Sequence, residues 1–154
     1  MTKIGPVEYK VVSLRQCPMP DAGNLCDTPA SCAEYWKLHV ATDAHYDPER
    51  ECVIVLMLNA RCKVKGHHFL SHGSADSVVI HPRDVFRCAI IAAAVSIVLM
   101  HNHPSGATAP SETDGKITRD LKRAGDLLKM PLADHIIVGD NGAFTSLRER
   151  GYVY

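Results

Sequence analysis

The chain has 154 residues, a length that predicts one domain with enough volume to bury a core without disulfides. Its 46% apolar and 22% charged residues are typical of a globular protein, and no apolar run is long enough to cross a membrane. The net charge of +0 lacks the basic excess that nucleic-acid-binding proteins usually carry, so the composition disfavours a membrane protein and does not support a nucleic-acid partner.

The first third of the chain carries few signals. Residues 9–14 predict a strand, and residues 16–30 are rich in proline and predict a loop. Thr28 and Pro29 then begin a helix that runs to about Val40. The first residues contain no hydrophobic signal core, so we expect a cytoplasmic protein. We interpret residues 1–47 as a strand, a loop and a helix that pack on the main domain, residues 48–154, in one compact unit.

Six cysteines are present, and no two of them form a Cys-x-x-Cys pair, so neither a zinc ribbon nor a redox motif is supported. Cys52 and Cys88 lie in apolar surroundings and are interpreted as core residues. Cys17, Cys26 and Cys32 are close in sequence and leave a second metal site open, but free thiols in a reducing compartment are the favoured interpretation. Cys62 completes the set.

The predicted sheet begins with residues 52–58, a continuous apolar run that indicates a central strand covered on both faces. Residues 62–70 return as a second strand and residues 78–80 form a third, while the His67-His68 pair is expected to be exposed. A helix begins at Pro82 and turns Val85, Cys88, Ala89 and Ala92 towards the sheet. This order allows a parallel crossover connection.

Residues 96–100 are apolar and uncharged and predict a buried strand, which ends in His101-Asn102-His103-Pro104. Side chains two apart on a strand point to the same face, so His101 and His103 aim at one point while Asn102 turns away. Two imidazoles directed at one point at the end of a buried strand predict a metal site.

The third ligand is expected from the start of the next helix, where Ser111 is a natural N-cap and Asp114 lies three residues later. Two histidines and one aspartate leave one position of a tetrahedral zinc ion open, which is the catalytic pattern. The helix is predicted over residues 111–130 with a stripe of Ile117, Leu121, Ala124 and Leu128. A strand over residues 135–138, a turn at residues 140–142 and a last strand over residues 144–147 follow.

The segment from His101 to Asp114 resembles the JAMM motif of the JAB/MPN metallohydrolases: His-x-His-Pro, a six-residue spacer, then Ser-x-x-Asp. The spelling His-Asn-His-Pro-Ser-Gly is similar to that of the RadC-like branch, and the likeness extends from about Pro48 to the C-terminus. It implies a mixed α/β sheet flanked by helices, like that of the cytidine deaminases. The deaminase zinc signature itself is absent, so deamination is disfavoured. The contiguous letters His-Asn-His do not make an HNH nuclease.

The resemblance implies the remaining site residues and the chemistry. It asks for a glutamate just before the central strand; Glu51 fits, with Glu49 as the alternative. We expect one Zn²⁺ per chain on His101, His103 and Asp114, with Glu51 as general base for an activated water. Ser111 would offer its hydroxyl to the developing oxyanion.

The expected reaction is hydrolysis of a peptide or isopeptide bond in a peptide or protein substrate. Two other classes stay open. One is a DNA-repair-associated role, suggested by the family's traditional name; the other is a non-catalytic MPN scaffold. His81 could approach the site from the start of its helix but is interpreted as a turn residue.

Overall fold

A five-stranded mixed sheet with helices on its faces forms the centre of the protein in the computed structural model, which describes residues 24–72 and 79–153. The strand order is β2-β1-β3-β4-β5. The strands are β1 (Cys52–Leu58), β2 (Val64–His72), β3 (Ser96–Asn102), β4 (Leu132–Val138) and β5 (Phe144–Ser146), and the α-helices are α1 (Pro29–Tyr35), α2 (Pro82–Ile91) and α3 (Glu112–Leu128). The predicted fold class is confirmed.

The pairing directions place β3 in the middle of the sheet. It is antiparallel to β1 and parallel to β4, while β2 and β5 pair antiparallel at the edges. Strands β2 and β3 therefore run parallel with β1 between them, and α2 provides the predicted crossover connection. Helix α3 makes a second crossover, between the neighbouring parallel strands β3 and β4.

Strand β1 is buried at every position, as its continuous apolar sequence predicts. Its side chains alternate between two cores, because successive residues on a strand point to opposite faces. Ile54 and Leu56 pack in the core beneath α1, whereas Val53 and Val55 pack beneath α2 and α3. Burial on both faces makes β1 a rigid neighbour for the end of β3.

Helix α1 starts where the sequence predicts it, with Thr28 and Ser31 forming a reciprocal capping box and Pro29 at the first turn. It continues as a π-helical segment, Trp36–Val40, and Trp36 is a core residue as expected. The predicted strand over residues 9–14 and residue Cys17 lie outside the described residues. The division of the chain at residue 47 therefore stays a prediction.

Three predictions about the middle of the chain need correction. Val79 and Ile80 lie in no strand, and Val78 is outside the described residues. His68 is exposed as expected, but His67 is partly buried because Tyr35 of α1 covers it, with the Tyr35 hydroxyl 2.8 Å from His67 Nδ1. Cys52 is a core residue, whereas Cys88 is only partly buried on α2.

Helix α3 packs most of the predicted apolar stripe against the core, with Ile117 and Ala124 partly buried there. Leu121 is buried, but Leu128 is 45% exposed. The buried helical positions are Asp114, Gly115, Thr118, Leu121 and Gly125. Polar and small residues occupy this face because the helix begins at the candidate site and ends against the segment that leads into β4.

The helices of the described residues include none that is both long enough and apolar enough to cross a membrane.

Gly125 lets the end of α3 approach the chain that enters β4, since a Cβ atom at this position would lie 2.6 Å from the Met130 carbonyl oxygen. We predict that Gly125→Ala destabilises the fold by about 1–3 kcal/mol through overpacking, despite the higher helix propensity of alanine. Urea unfolding measures this. Leu127→Ala, at a position 83% exposed, is the matched control and should change stability by less than about 0.5 kcal/mol. Equal stability of the two variants would contradict the close approach.

Candidate metal centre

The end of β3 brings two imidazoles together at the edge of the sheet. His101 is buried and His103 has a side-chain exposure of 19%, and their Nε2 atoms are 3.0 Å apart. The Nδ1 atom of His103 lies 2.9 Å from the Ala107 carbonyl oxygen, which can only accept, so Nδ1 carries the proton of the neutral ring. The lone pair of His103 Nε2 is therefore free and directed at His101.

Asp114 completes the group from the first turn of α3. Its Oδ2 atom accepts hydrogen bonds from the backbone N–H and the hydroxyl of Ser111, at 2.7 and 2.8 Å, while Ser111 Oγ accepts from the Asp114 N–H. This capping box occupies one carboxylate oxygen and leaves Oδ1 facing His101 Nε2 at 3.2 Å. The same side chain therefore caps the helix and faces the histidines.

Competing effects act on the pKa of the Asp114 carboxyl. Burial raises this pKa, but the neighbouring His101 ring and the two donors of Ser111 outweigh burial and hold it well below its ordinary value. Asp114 is thus a carboxylate at neutral pH. A buried carboxylate with one uncommitted oxygen is suited to a cation.

The donor set fits a zinc ion. One atom each from His101, His103 and Asp114 lies within 4.8 Å of the others. The two Nε2 atoms are 3.0 Å apart; His101 Nε2 lies 3.2 Å from Asp114 Oδ1, and His103 Nε2 lies 3.4 Å from Asp114 Oδ2. Tetrahedral zinc with Zn–N bonds of about 2.0–2.1 Å needs ligand atoms roughly 3.3 Å apart.

Glu51 stands beside this group, immediately before β1. The register of the sheet pairs Val53 with His101, and Glu51 Oε1 lies 4.0 Å from His101 Nε2. Glu49 is exposed, and its backbone N–H bonds Asp47 Oδ1 in a turn. Of the two glutamates considered from the sequence, the structure brings Glu51 into contact with the candidate ligands.

Asn102 has a role that alternation along the strand did not reveal. It turns away from the histidines as expected, and its side chain then binds the backbone on both sides of Glu51. Its Oδ1 atom accepts from the Cys52 N–H at 2.8 Å, and its Nδ2 donates to the Arg50 carbonyl at 3.1 Å. The strand that carries the histidines thereby also fixes the chain at Glu51.

His135 and Thr118 were also missed by the sequence analysis. His135 lies on β4 with its Nε2 atom 2.9 Å from His101 Nδ1, and its Nδ1 atom is 2.7 Å from Thr118 Oγ1. Burial holds the pKa of His135 well below its ordinary value, so this ring is neutral. The available signal in the sequence was a histidine, His135, at the start of the apolar strand predicted after α3.

The remaining predicted residues divide clearly. Ser111 lies at the site through its bonds to Asp114, whereas His81 is exposed at the start of α2. Within residues 24–72 and 79–153, His101, His103 and Asp114 form the one group of three or more His, Cys, Asp or Glu side chains close enough to hold a metal. Cys26 and Cys32 are buried free thiols outside that group.

The fold and these residues define a mixed α/β domain with a candidate His/His/Asp metal centre at the end of its central strand. Comparison with known families places the chain more narrowly: the model described as RadC-like JAB domain matches residues 26–152. The chain belongs to this family.

Three relatives illustrate the family relationship, each named only as a UPF0758 protein. The relative from Thermotoga maritima is 48% identical over 103 residues, covering 67% of this chain and 46% of the relative. The one from Staphylococcus epidermidis is 47% identical over 106 residues, 69% of this chain and 46% of the relative. The one from Desulforamulus reducens is 42% identical over 107 residues, 70% of this chain and 47% of the relative. The matched region spans less than half of these relatives.

The ligand roles predict the metal content of purified protein. We expect about one zinc ion per chain in the wild type, measured by mass spectrometry after zinc is added and the excess removed. His103→Ala should lose most of it, because two protein ligands hold zinc far less tightly than three. His68→Ala replaces an exposed histidine on β2 and should keep the wild-type content. A wild type that binds no zinc would exclude the proposed ligand set.

Proposed function

We propose that the protein is a zinc-dependent hydrolase that cleaves peptide or isopeptide bonds. The observation that supports this best is the arrangement of four side chains. Two imidazole nitrogens and one carboxylate form a three-ligand group, and the Glu51 carboxylate lies 4.0 Å from His101 Nε2. Three protein ligands with an adjacent carboxylate are the pattern of hydrolytic zinc sites.

In this proposal His101, His103 and Asp114 hold the zinc ion. When bound, the ion would act as a Lewis acid that lowers the pKa of water and polarises the scissile carbonyl. Glu51 takes the proton from the attacking water and passes it to the leaving amine. Its side-chain exposure of 19% leaves it open to solvent and substrate, while Asn102 fixes its backbone.

Ser111 is proposed to donate its hydroxyl to the developing oxyanion. In the described structure this hydroxyl donates to Asp114 Oδ2. Redirecting it leaves that oxygen with the hydrogen bond from the Ser111 backbone N–H at 2.7 Å. Asp114 Oδ2 therefore keeps one donor during the reaction. Rotation of the Ser111 hydroxyl gives up one of the two hydrogen bonds that this oxygen accepts from Ser111.

Cleavage of internally quenched peptides and lysine-linked isopeptides by zinc-loaded protein tests the proposal. Glu51→Gln keeps the shape of the side chain but cannot take a proton, so we expect a loss of about 100-fold to 10,000-fold in kcat. Glu49→Gln is the matched control and should leave the rate unchanged. If wild-type protein binds zinc but cleaves neither substrate class, the non-catalytic scaffold becomes the better hypothesis. Equal rates for Glu51→Gln and wild type would remove the assigned base.

A specific surface supports a second candidate function, binding of nucleic acid. A groove of about 590 Å³ is lined by Arg119, Lys122, Arg123, Arg150, Gly151 and Tyr152. Lys122 pairs with Asp126, but no carboxylate in the described part of the chain forms an ion pair with the three arginines, all of which are exposed. Arginines beside one aromatic ring are suited to phosphates and stacked bases of a single strand.

The net charge does not favour this function, so the test targets the groove itself. Fluorescence anisotropy of a labelled single-stranded oligonucleotide should show salt-dependent binding, with log K falling by roughly 0.7 per phosphate neutralised for each unit of log salt. The double variant Arg123→Ser/Arg150→Ser should weaken it at least tenfold. Arg61→Ser changes an exposed arginine in the β1–β2 turn and serves as control. Absence of binding at low salt, or equal binding by an acidic peptide, would exclude a nucleic-acid function for the groove.

A further inference from the structure

A chain of hydrogen bonds joins the backbone of α3 to the ring of His101. Thr118 Oγ1 donates to the Asp114 carbonyl oxygen at 2.6 Å and lies 2.7 Å from His135 Nδ1. His135 Nε2 lies 2.9 Å from His101 Nδ1. Thr118, His135 and His101 are each at most 2% exposed, so water does not substitute for any of these partners.

The direction of each proton along this chain follows from the acceptor at its start. A backbone carbonyl cannot donate, so the single hydroxyl proton of Thr118 belongs to the bond with Asp114. Thr118 Oγ1 must then accept from His135, which places the proton of the neutral His135 ring on Nδ1. The Nε2 atom of His135 is left as an acceptor, and His101 donates to it from Nδ1. The neutral ring of His101 consequently carries no proton on Nε2.

We propose that His135 and Thr118 are positioning residues that hold His101 in the Nδ1–H tautomer, with the lone pair of Nε2 directed at the metal site. The inference rests on the zinc site of the proposed function but not on the reaction assigned to it. Ligating histidines commonly donate their second nitrogen to a carboxylate, a carbonyl or water. Here a second histidine, itself oriented by a threonine, takes that place.

The sheet supplies the rigidity that such a chain needs. Strand β4 runs parallel to β3, and its register opposes Leu99 to His135 and His101 to Ile137, so the two histidines are diagonal neighbours. The backbone of His135 is fixed on both sides: its N–H bonds the Asp134 carboxylate at 2.7 Å, and its carbonyl accepts from the Leu147 N–H at 2.8 Å. The His135 ring therefore approaches His101 from a fixed frame.

Removal of the Thr118 hydroxyl should reverse the chain. Without an acceptor at Nδ1, the neutral His135 ring gains by moving its proton to Nε2 and donating to His101. His101 must then accept at Nδ1 and carry its own proton on Nε2, where it blocks the metal site. Thr118→Val makes this change at nearly constant volume, and Thr118→Ser restores the hydroxyl.

The experiment uses the full chain without metal, so that catalysis plays no part. Long-range ¹H–¹⁵N correlation spectra of the imidazole rings should show the Nδ1–H tautomer for His101 in wild type and in Thr118→Ser. We expect Thr118→Val to shift His101 towards the Nε2–H tautomer. Zinc affinity, measured by competition with a chelator, should then fall by about 10-fold to 100-fold, the usual effect of losing an outer-shell partner.

A second variant guards against a purely structural effect. His135→Phe keeps an aromatic ring of similar size but removes both nitrogens, so His101 should populate a mixture of tautomers, again with weaker zinc binding. Urea unfolding identifies variants that fail to fold. If His135→Phe does not fold, the comparison of Thr118→Val with Thr118→Ser still tests the inference. A wild-type His101 protonated on Nε2, or a folded Thr118→Val with unchanged tautomer and zinc affinity, would overturn the inference. Failure to cleave peptides would leave it intact.

Discussion

The pairing of β3 with β1 on one side and β4 on the other is the constraint on which the candidate centre depends. His101 lies at the end of β3 and His103 directly follows the strand, and each neighbouring strand brings one further side chain to them. Strand β1 is preceded by Glu51, and β4 carries His135. Because these three strands are buried at nearly every position, the side chains at this edge are held by a core on both faces of the sheet. Strand order therefore brings His101, His103, Glu51 and His135 together, and the first turn of α3 adds Asp114.

Asp114 connects the stability of α3 with the chemistry of the site. One carboxylate oxygen accepts the two Ser111 donors that cap the helix, and the other faces His101. An N-cap interaction contributes typically about 1 kcal/mol to stability, so the side chain is held in place by helix formation itself. Its orientation requires no residue beyond the helix start. This explains how a short signal, Ser-x-x-Asp, can mark both a cap and a candidate ligand.

The sequence allowed the parts of the site that depend on local geometry to be predicted. The two-residue period of a strand brings His101 and His103 together, and a capping box places Asp114; the structure shows both arrangements. Glu51 was identified through a family resemblance, because its distance from the histidines depends on the pairing of β1 with β3. His135 and Thr118 could not be assigned from local pattern, since their contacts require β4 beside β3 and the exact rotation of α3. For the same reason His67 was expected to be exposed, although Tyr35, 32 residues away, covers it.

The contact that Asn102 makes has a consequence for how the sheet moves. Its amide group joins β3 to the backbone on both sides of Glu51, only one residue from each histidine. Sliding of β1 against β3 would break these two hydrogen bonds, so they resist a displacement of the glutamate relative to the imidazoles. The separation between the Glu51 carboxylate and the candidate ligands therefore depends on the pairing of these two strands. In the proposed function, the same two hydrogen bonds help to set the spacing between the general base and the metal ligands.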